Sequence, residues 1–445
     1  MSAPAGARVT RDARGCAVSG ANPRALEAFE RAVCASQSWR TGAEEHLAQA
    51  LREAPGFVMA HAMQAHLMLG GRDARRVQAA RPLHAHARGL PANARERMHL
   101  AAIEAVLDDD YDRARTLLGE VLREHPRDAI ALQVAHSFDY ITGDSQCMQE
   151  RVRGVLPAWS GELPGFHAVL SMHAFSLVEC GEYERAEAAA REALAHNPRD
   201  ARAHHVMAHV FEMTRRPESG VQWMNEHRPT WSCDTVVATH CWWHLALFHL
   251  AAGRLDEALS LYDTRVRAVR SRQLADLVDA VALLWRIRLQ GVDAGDRWGE
   301  LAEAWEPYIE DRFCTFNDLH AMMAFVGASD WHRARRLLQV LGKAGEGRSR
   351  HGYTTRQLGL PATRAFMAFG QGLDARALEL LARVPPHVHR IGGSHAQRDV
   401  LHLTMLHAID RLRRPQRWGA GAVRRPFVAA GGHRGIAHAN ARARA

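Results

Sequence analysis

The chain has no run of about twenty apolar residues, so no helix is expected to cross a membrane. Its opening segment, MSAPAGARVTRDARG, has no apolar core and does not read as a secretory signal. The seven cysteines (Cys16, Cys34, Cys147, Cys180, Cys233, Cys241 and Cys314) are odd in number, scattered, and form no CxxC pair. Buried free thiols in a reducing cytoplasm are expected, rather than a disulfide or thiolate–metal framework. The zinc-protease helix HEXXH and the nucleophile elbow GxSxG are both missing, and there is no nucleotide-binding loop. Few stretches alternate with period two, so sheet is not expected. Acidic residues are absent from Arg411 onward, where nine Arg stand without a Lys. Subtracting those nine from the net charge of +8 leaves −1 for residues 1–410. The body is therefore near neutral and offers no basic groove for nucleic acid.

What is present is helical and repetitive. GEYERAEAAAREALAHNPRDA (181–201) begins with Gly181 after one helix, opens the next at Tyr183 and Ala186, and closes it at Pro198. Small Ala186 lets two helices approach, and Pro198 cannot continue the helix. Its partner helix is predicted from about Gly165 to Cys180. Tyr111, Ala114 and Pro126 repeat the pattern 72 residues earlier, and Ala258 matches Ala186 72 residues later. A further pair lies between Pro198 and Gly253, so the unit is about 36 residues. Ala334 and Ala377 mark later, less regular pairs. This is the grammar of tetratricopeptide helix pairs. The expected fold is all-α: a tetratricopeptide-like α-solenoid of roughly ten helix pairs in a right-handed superhelix. Its first helices should line one concave face. Residues 1–20 are expected to be flexible, 21–410 to form the solenoid, and 411–445 to be a basic tail. The segments 156–165 and 342–353 are expected as loops, the second lying over the groove.

Six segments carry a more specific resemblance: FVMAHAMQAHLML (57–69), RERMHLAAIEA (95–105), RAHHVMAHVFEM (202–213), HCWWHLALFHLAAGRLDEALSLYD (240–263), FNDLHAMMAF (316–325) and GGSHAQRDVL (392–401). In order and spacing the chain resembles the tetratricopeptide repeat protein 38 family from about residue 20 to 410. The resemblance implies a compact helical-repeat protein and says little about activity. Cys241 and Phe211 depart from the family, where relatives often carry a polar amide and some carry His. The sequence after residue 410 departs further, because relatives continue there in helix. A disordered basic tail, a frameshift in a GC-rich coding sequence and a nucleic-acid-binding arm are the three readings of it.

Histidine is the unusual abundance, with 28 in the chain. His205 and His209 are spaced i, i+4 with Glu212 beyond, which places all three on one helix face. Two imidazoles and a carboxylate suit zinc or iron, or acid–base work, although packing explains the same spacing. His205 and His209 are the candidate metal ligands. His240 and His244 repeat the spacing beside Trp242 and Trp243, while His61, His136, His173 and His320 lie on other first helices. Asp276 and Asp279, one helical turn apart, are expected to ion-pair rather than form a catalytic dyad, with Arg286 or Arg288, or the groove, as partner. Arg398 is a candidate carboxylate binder or a salt bridge to Asp399 or a neighbouring helix. The candidate ligand-binding set is His136, His205, His209, Glu212, His240, His244, Asn317, His320 and Arg398. Two functions follow. The first is a cytoplasmic module whose His/Trp-rich concave face binds a peptide, a protein or a small ligand. The second is a small-molecule enzyme, a metal-dependent hydrolase among the options, with a His-lined pocket inside the solenoid. A closed pocket favours the second and a long open groove the first.

Overall fold

The computed structural model describes residues 10–384 and 387–413. Ten helix pairs follow one another. They are α1 Pro23–Gln37 with α2 Ala43–Glu53, α3 Val58–Leu69 with α4 Ala74–Arg88, α5 Ala94–Leu107 with α6 Tyr111–Glu124, and α7 Ala129–Thr142 with α8 Ser145–Val155. Next come α9 Phe166–Glu179 with α10 Tyr183–His196, and α11 Ala201–Met213 with α12 Pro217–Glu226. After the short α13 Arg228–Ser232 come α14 Ala238–Ala251 with α15 Leu255–Leu261, α16 Leu274–Leu289 with α17 Arg297–Trp305, and α18 Thr315–Gly327 with α19 Trp331–Gly345. The short α20 Arg350–Thr354 leads into α21 Leu360–Gly370 with α22 Asp374–Leu381, and α23 His395–Arg413 stands alone. Among the described residues there is no strand, only two isolated bridges.

The repeat grammar sits where the sequence put it. α6 and α10 begin at Tyr111 and Tyr183, and Ala114, Ala186, Ala258, Ala334 and Ala377 are all fully buried. Aspartates fix the helix starts. The side chains of Asp110, Asp128 and Asp200 each accept from backbone N–H groups of the following turn. Between pairs, Asp139 is fully buried and receives both Arg115 and Arg151, which ties α6, α7 and α8 together.

Close packing leaves little slack at Gly327, where α18 ends. A Cβ there would lie 2.1 Å from the Trp298 ring. Gly327→Ala should therefore cost about 1–3 kcal/mol through overpacking. Urea unfolding beside Gly299→Ala, whose added Cβ meets nothing within 4 Å, checks this. Equal midpoints for the two variants would refute it.

The array closes on itself instead of leaving a groove. Arg40, in the α1–α2 turn, donates to the carbonyls of Arg199, Thr230 and Cys233. Asn317 Nδ2 donates to the Arg72 carbonyl over 2.9 Å, and Arg75 donates to the Pro307 carbonyl over 2.7 Å. The Arg350 N–H donates to Asp109. α23 enters the space so enclosed. Trp285 Nε1 donates to Thr404, Arg286 bonds Ala396 and Asp399, and Arg398 pairs with Glu179 of α9. The expected concave face is thus filled by α23, the last helix among the described residues. Residues Cys241 to Phe248 of α14 are consecutively buried, as in a helix covered on all sides.

Three boundaries differ from expectation. Residues 10–20 are packed, not flexible: Arg14, Cys16 and Val18 are buried, and Arg14 pairs with Glu30. Segment 342–353 is largely helix rather than a loop, because His351 is buried against Asp318 at 2.8 Å and draws the chain inward. The solenoid runs to Arg413, where Arg411 lies over Phe369 and reaches Asp374. The remainder of the basic tail, 414–445, lies outside the described residues. All seven cysteines are unpaired, but Cys34 and Cys233 are exposed, contrary to the expectation of burial.

Candidate metal centre

α11 and α14 are the first helices of neighbouring pairs and lie side by side. Each presents an i, i+4 histidine pair to the other. One nitrogen each from His205, His209, His240 and His244 lies within 4.8 Å of all the others. His205 Nε2 and His209 Nε2 are 2.9 Å apart. His205, His209 and His244 are buried, and His240 is partly so.

Carboxylates stand behind two of the rings. His240 Nδ1 donates to both oxygens of Asp279 at 2.9 Å, and His244 Nδ1 donates to Glu212 Oε2 at 2.9 Å. A proton held at Nδ1 leaves Nε2 as a bare lone pair. His244 Nε2 is buried with no hydrogen-bond partner, as are His205 Nδ1 and His209 Nδ1. Aromatic walls exclude water. Trp243 stacks on His240 at 5.1 Å, while Trp39 and Phe175 pack on His205 at 5.3 and 5.9 Å. Trp39 belongs to the α1–α2 turn and adopts φ +55°, held where its carbonyl accepts from Val236 N–H.

Burial presses the pKa values of His205, His209 and His244 well below the ordinary value, and the neighbouring imidazoles add to it. These rings are neutral at pH 7, the form that binds metal. Burial raises Glu212 to about 7, although Arg286 and His240 oppose it.

The structure divides the predicted set. His205, His209, His240 and His244 converge. Glu212 does not join them as a ligand, because its carboxylate is turned to the back of His244. Asp279 is paired with His240, not with Arg286 or Arg288. The remaining candidates lie elsewhere. His136 Nε2 bonds the Met172 carbonyl at 3.1 Å, and His320 Nδ1 bonds the Phe316 carbonyl at 2.8 Å. Asn317 latches Arg72, and Arg398 meets the Gly393 carbonyl and Glu179 instead of Asp399. Cys241 is buried with its thiol pushed far up, so it is a packing residue. Asp279 and Trp243 as supports were missed. For the histidines the spacing is a signal, since His240 and His244 follow His205 and His209 by 35 residues, close to one repeat; nothing comparable marks Asp279 or Trp243.

Burial lowers His136 and His320 to about 3 each. In the unfolded chain they take protons near pH 6.5. Between pH 6.5 and 3 the unfolded state therefore binds more protons than the native state. Stability from these groups is complete above pH 6.5 and falls as the pH drops, by about 1.4 kcal/mol per unit for each histidine. Urea midpoints at pH 7.5 and 5.5 should differ in that direction, and less so in His320→Gln. Equal midpoints would refute it.

No protein-family profile matches the sequence. Among solved structures, the chain is similar to a thermophilic TPR protein of Thermus thermophilus at 22% identity, covering 43% of this chain and 99% of that one, with a TM-score of 0.34. It is also similar to the P58(IPK) TPR domain (12% identity, 88% and 98% covered, TM-score 0.22). A chain in the structure of Naa15/Naa10 bound to HypK-THB matches at 12% identity, 87% and 61% covered, with a TM-score of 0.27. The fold is that of a tetratricopeptide-like helical repeat, as its own helix pairs establish.

Proposed function

We propose that this chain is a helical-repeat protein of the tetratricopeptide repeat protein 38 family that holds one divalent first-row transition ion on His205, His209, His240 and His244. The observation that carries the reading is the convergence of four imidazoles, three of them buried and each of those three with an unpartnered nitrogen. All-nitrogen donors suit zinc, copper or nickel and not magnesium or calcium. A tetrahedral ion with bonds of about 2.0–2.1 Å needs nitrogens about 3.4 Å apart. The four nitrogens, all within 4.8 Å of one another, lie near that spacing. Asp279 and Glu212 orient two rings from behind, as carboxylates do at histidine–metal sites.

A protein or peptide partner is compatible with this centre. The filled inner face moves such a partner to the outer, second helices. Seven unpaired cysteines support a reducing cytoplasm. No helix among the described residues is long and apolar enough to cross a membrane.

Elemental mass spectrometry on protein reconstituted with Zn(II), Cu(II) or Ni(II) and desalted tests the proposal. About one ion per chain is expected, and none in a folded His205→Ala/His209→Ala variant. Failure of the wild type to retain any of the three ions overturns it.

A further inference from the structure

The outer surface carries one concentration of positive charge. α19 and the turn that joins α17 to α18 bound a cleft of about 470 Å³. His332, Arg335, Gln339 and Lys343 line it and are exposed, at successive steps of three, four and four residues along α19. Those steps set them in one row on the helix. Arg336 lines the cleft beside the row, Arg312 lines it from the turn, and Val340, 6% exposed, closes its floor.

Glu310 is the one carboxylate in the lining, so four cations less one anion leave three positive charges. Arg312 and Arg336 share that carboxylate, at 3.7 and 3.2 Å. The side chains of Arg335 and Lys343 have no ion-pair partner among the described residues. Unbalanced charge gathered in a concave site attracts a ligand of opposite sign. The chain itself does not supply it: residues 1–9, 385–386 and 414–445 contain no Asp or Glu, so no further carboxylate side chain is left to lie there.

The lining favours a peptide over a nucleic acid. It holds no Phe, Tyr or Trp, so bases would have no large ring to stack on. The Gln339 amide offers both a donor and an acceptor to a peptide backbone. From His332 to Lys343 the row runs about 16 Å at 1.5 Å per residue. That is the length of about five extended residues.

We propose that this cleft docks an acidic peptide segment of a protein partner, whose carboxylates pair with Arg335 and Lys343 and compete with Glu310 for Arg312 and Arg336. The proposal rests on the reading that a partner meets the second helices, and the metal centre plays no part in it.

N-acetylated hexaglutamate with a C-terminal fluorophore is the probe, titrated into the full chain by fluorescence anisotropy. The salt is held at about 10 mM, where charges act over about 30 Å. Saturable binding is expected, with none for hexaglutamine. Arg335→Glu/Lys343→Glu breaks no ion pair and should weaken binding about tenfold or more. Arg52→Glu/Arg113→Glu makes the same change in net charge at exposed positions of α2 and α6, and should weaken it less than about threefold. Lys343 is the only lysine in the sequence, so carbodiimide coupling of the bound peptide should form its amide bond there. His205→Ala/His209→Ala should leave binding unchanged. Absence of saturable binding in protein that still retains zinc overturns the docking and leaves the metal reading standing. Undiminished binding to Arg335→Glu/Lys343→Glu places the peptide on the basic sequence after residue 410 and overturns the proposal. Equal loss in the two charge-reversed variants, or tighter binding of hexauridylate than of the peptide, also overturns it.

Discussion

Stripping the ion from the four-histidine centre with a chelator should lower the unfolding free energy by about 4 kcal/mol when free metal had stood a thousandfold above its dissociation constant. An ion that binds only the native state stabilises by that mass-action term. The unfolded chain keeps the i, i+4 pairs in sequence but not the juxtaposition of α11 and α14, so it holds two ligands at a time at best. Zinc added back should restore the thermal midpoint in the wild type and not in His240→Ala/His244→Ala. Asp279→Asn tests the support behind the ligands. Its amide oxygen can still accept from His240 Nδ1, but the charge is gone, and affinity should fall about 10–100-fold. A thermal midpoint indifferent to chelator and to zinc would remove the metal reading. The four rings would then be a neutral imidazole cluster held by packing.

Arg398→Ala should be the most damaging single change on α23, at about 3–5 kcal/mol. Glu179 and Arg398 are both buried, and Glu179 also accepts from the His395 N–H at 3.2 Å. Removing the guanidinium leaves a buried carboxylate facing the start of the helix that it anchors. The loss should show twice: as a lower urea midpoint, and as faster proteolysis near Gly392 and Gly393, where α23 leaves the array. Glu179→Gln/Arg398→Leu should recover part of the loss, because no buried charge is then stranded. A loss below about 1 kcal/mol for Arg398→Ala would mean that the pair is not a tether.

The second helices were legible in the sequence because one face of each is wet. Tyr111, Ala114 and Pro126, and their counterparts 72 residues on, are amphipathic punctuation with few alternative readings. The first helices were harder. α14 is buried along both sides, so its apolar residues carry no facing signal and His244 looks like any core histidine. The pairing of His205 and His209 with each other was visible as i, i+4 spacing. Their meeting with His240 and His244 depends on how two repeats stack, which local pattern does not encode. Glu212 was assigned forward because it shares a face with His209, but a carboxylate one turn further reaches the back of the next helix's ring. α23 was invisible as a filler of the interior. GGSHAQRDVL reads as a turn and a helix start, and nothing in it names Trp285, Glu179 and Tyr140 as its neighbours.

The closing contacts also bear on how the molecule comes into being. An open array can consolidate pair by pair as it leaves the ribosome, since each unit needs only the one before it. Here Arg72 waits for Asn317, 245 residues later, and Tyr140 waits for Gln397, 257 residues later. Until α23 is made, the inner faces of α9, α11 and α16 have no cover. The nascent chain therefore spends most of its synthesis with apolar surface exposed, in the state most open to aggregation and most suited to chaperone capture. Completion of α23 turns a row of half-buried repeats into a single cooperative body.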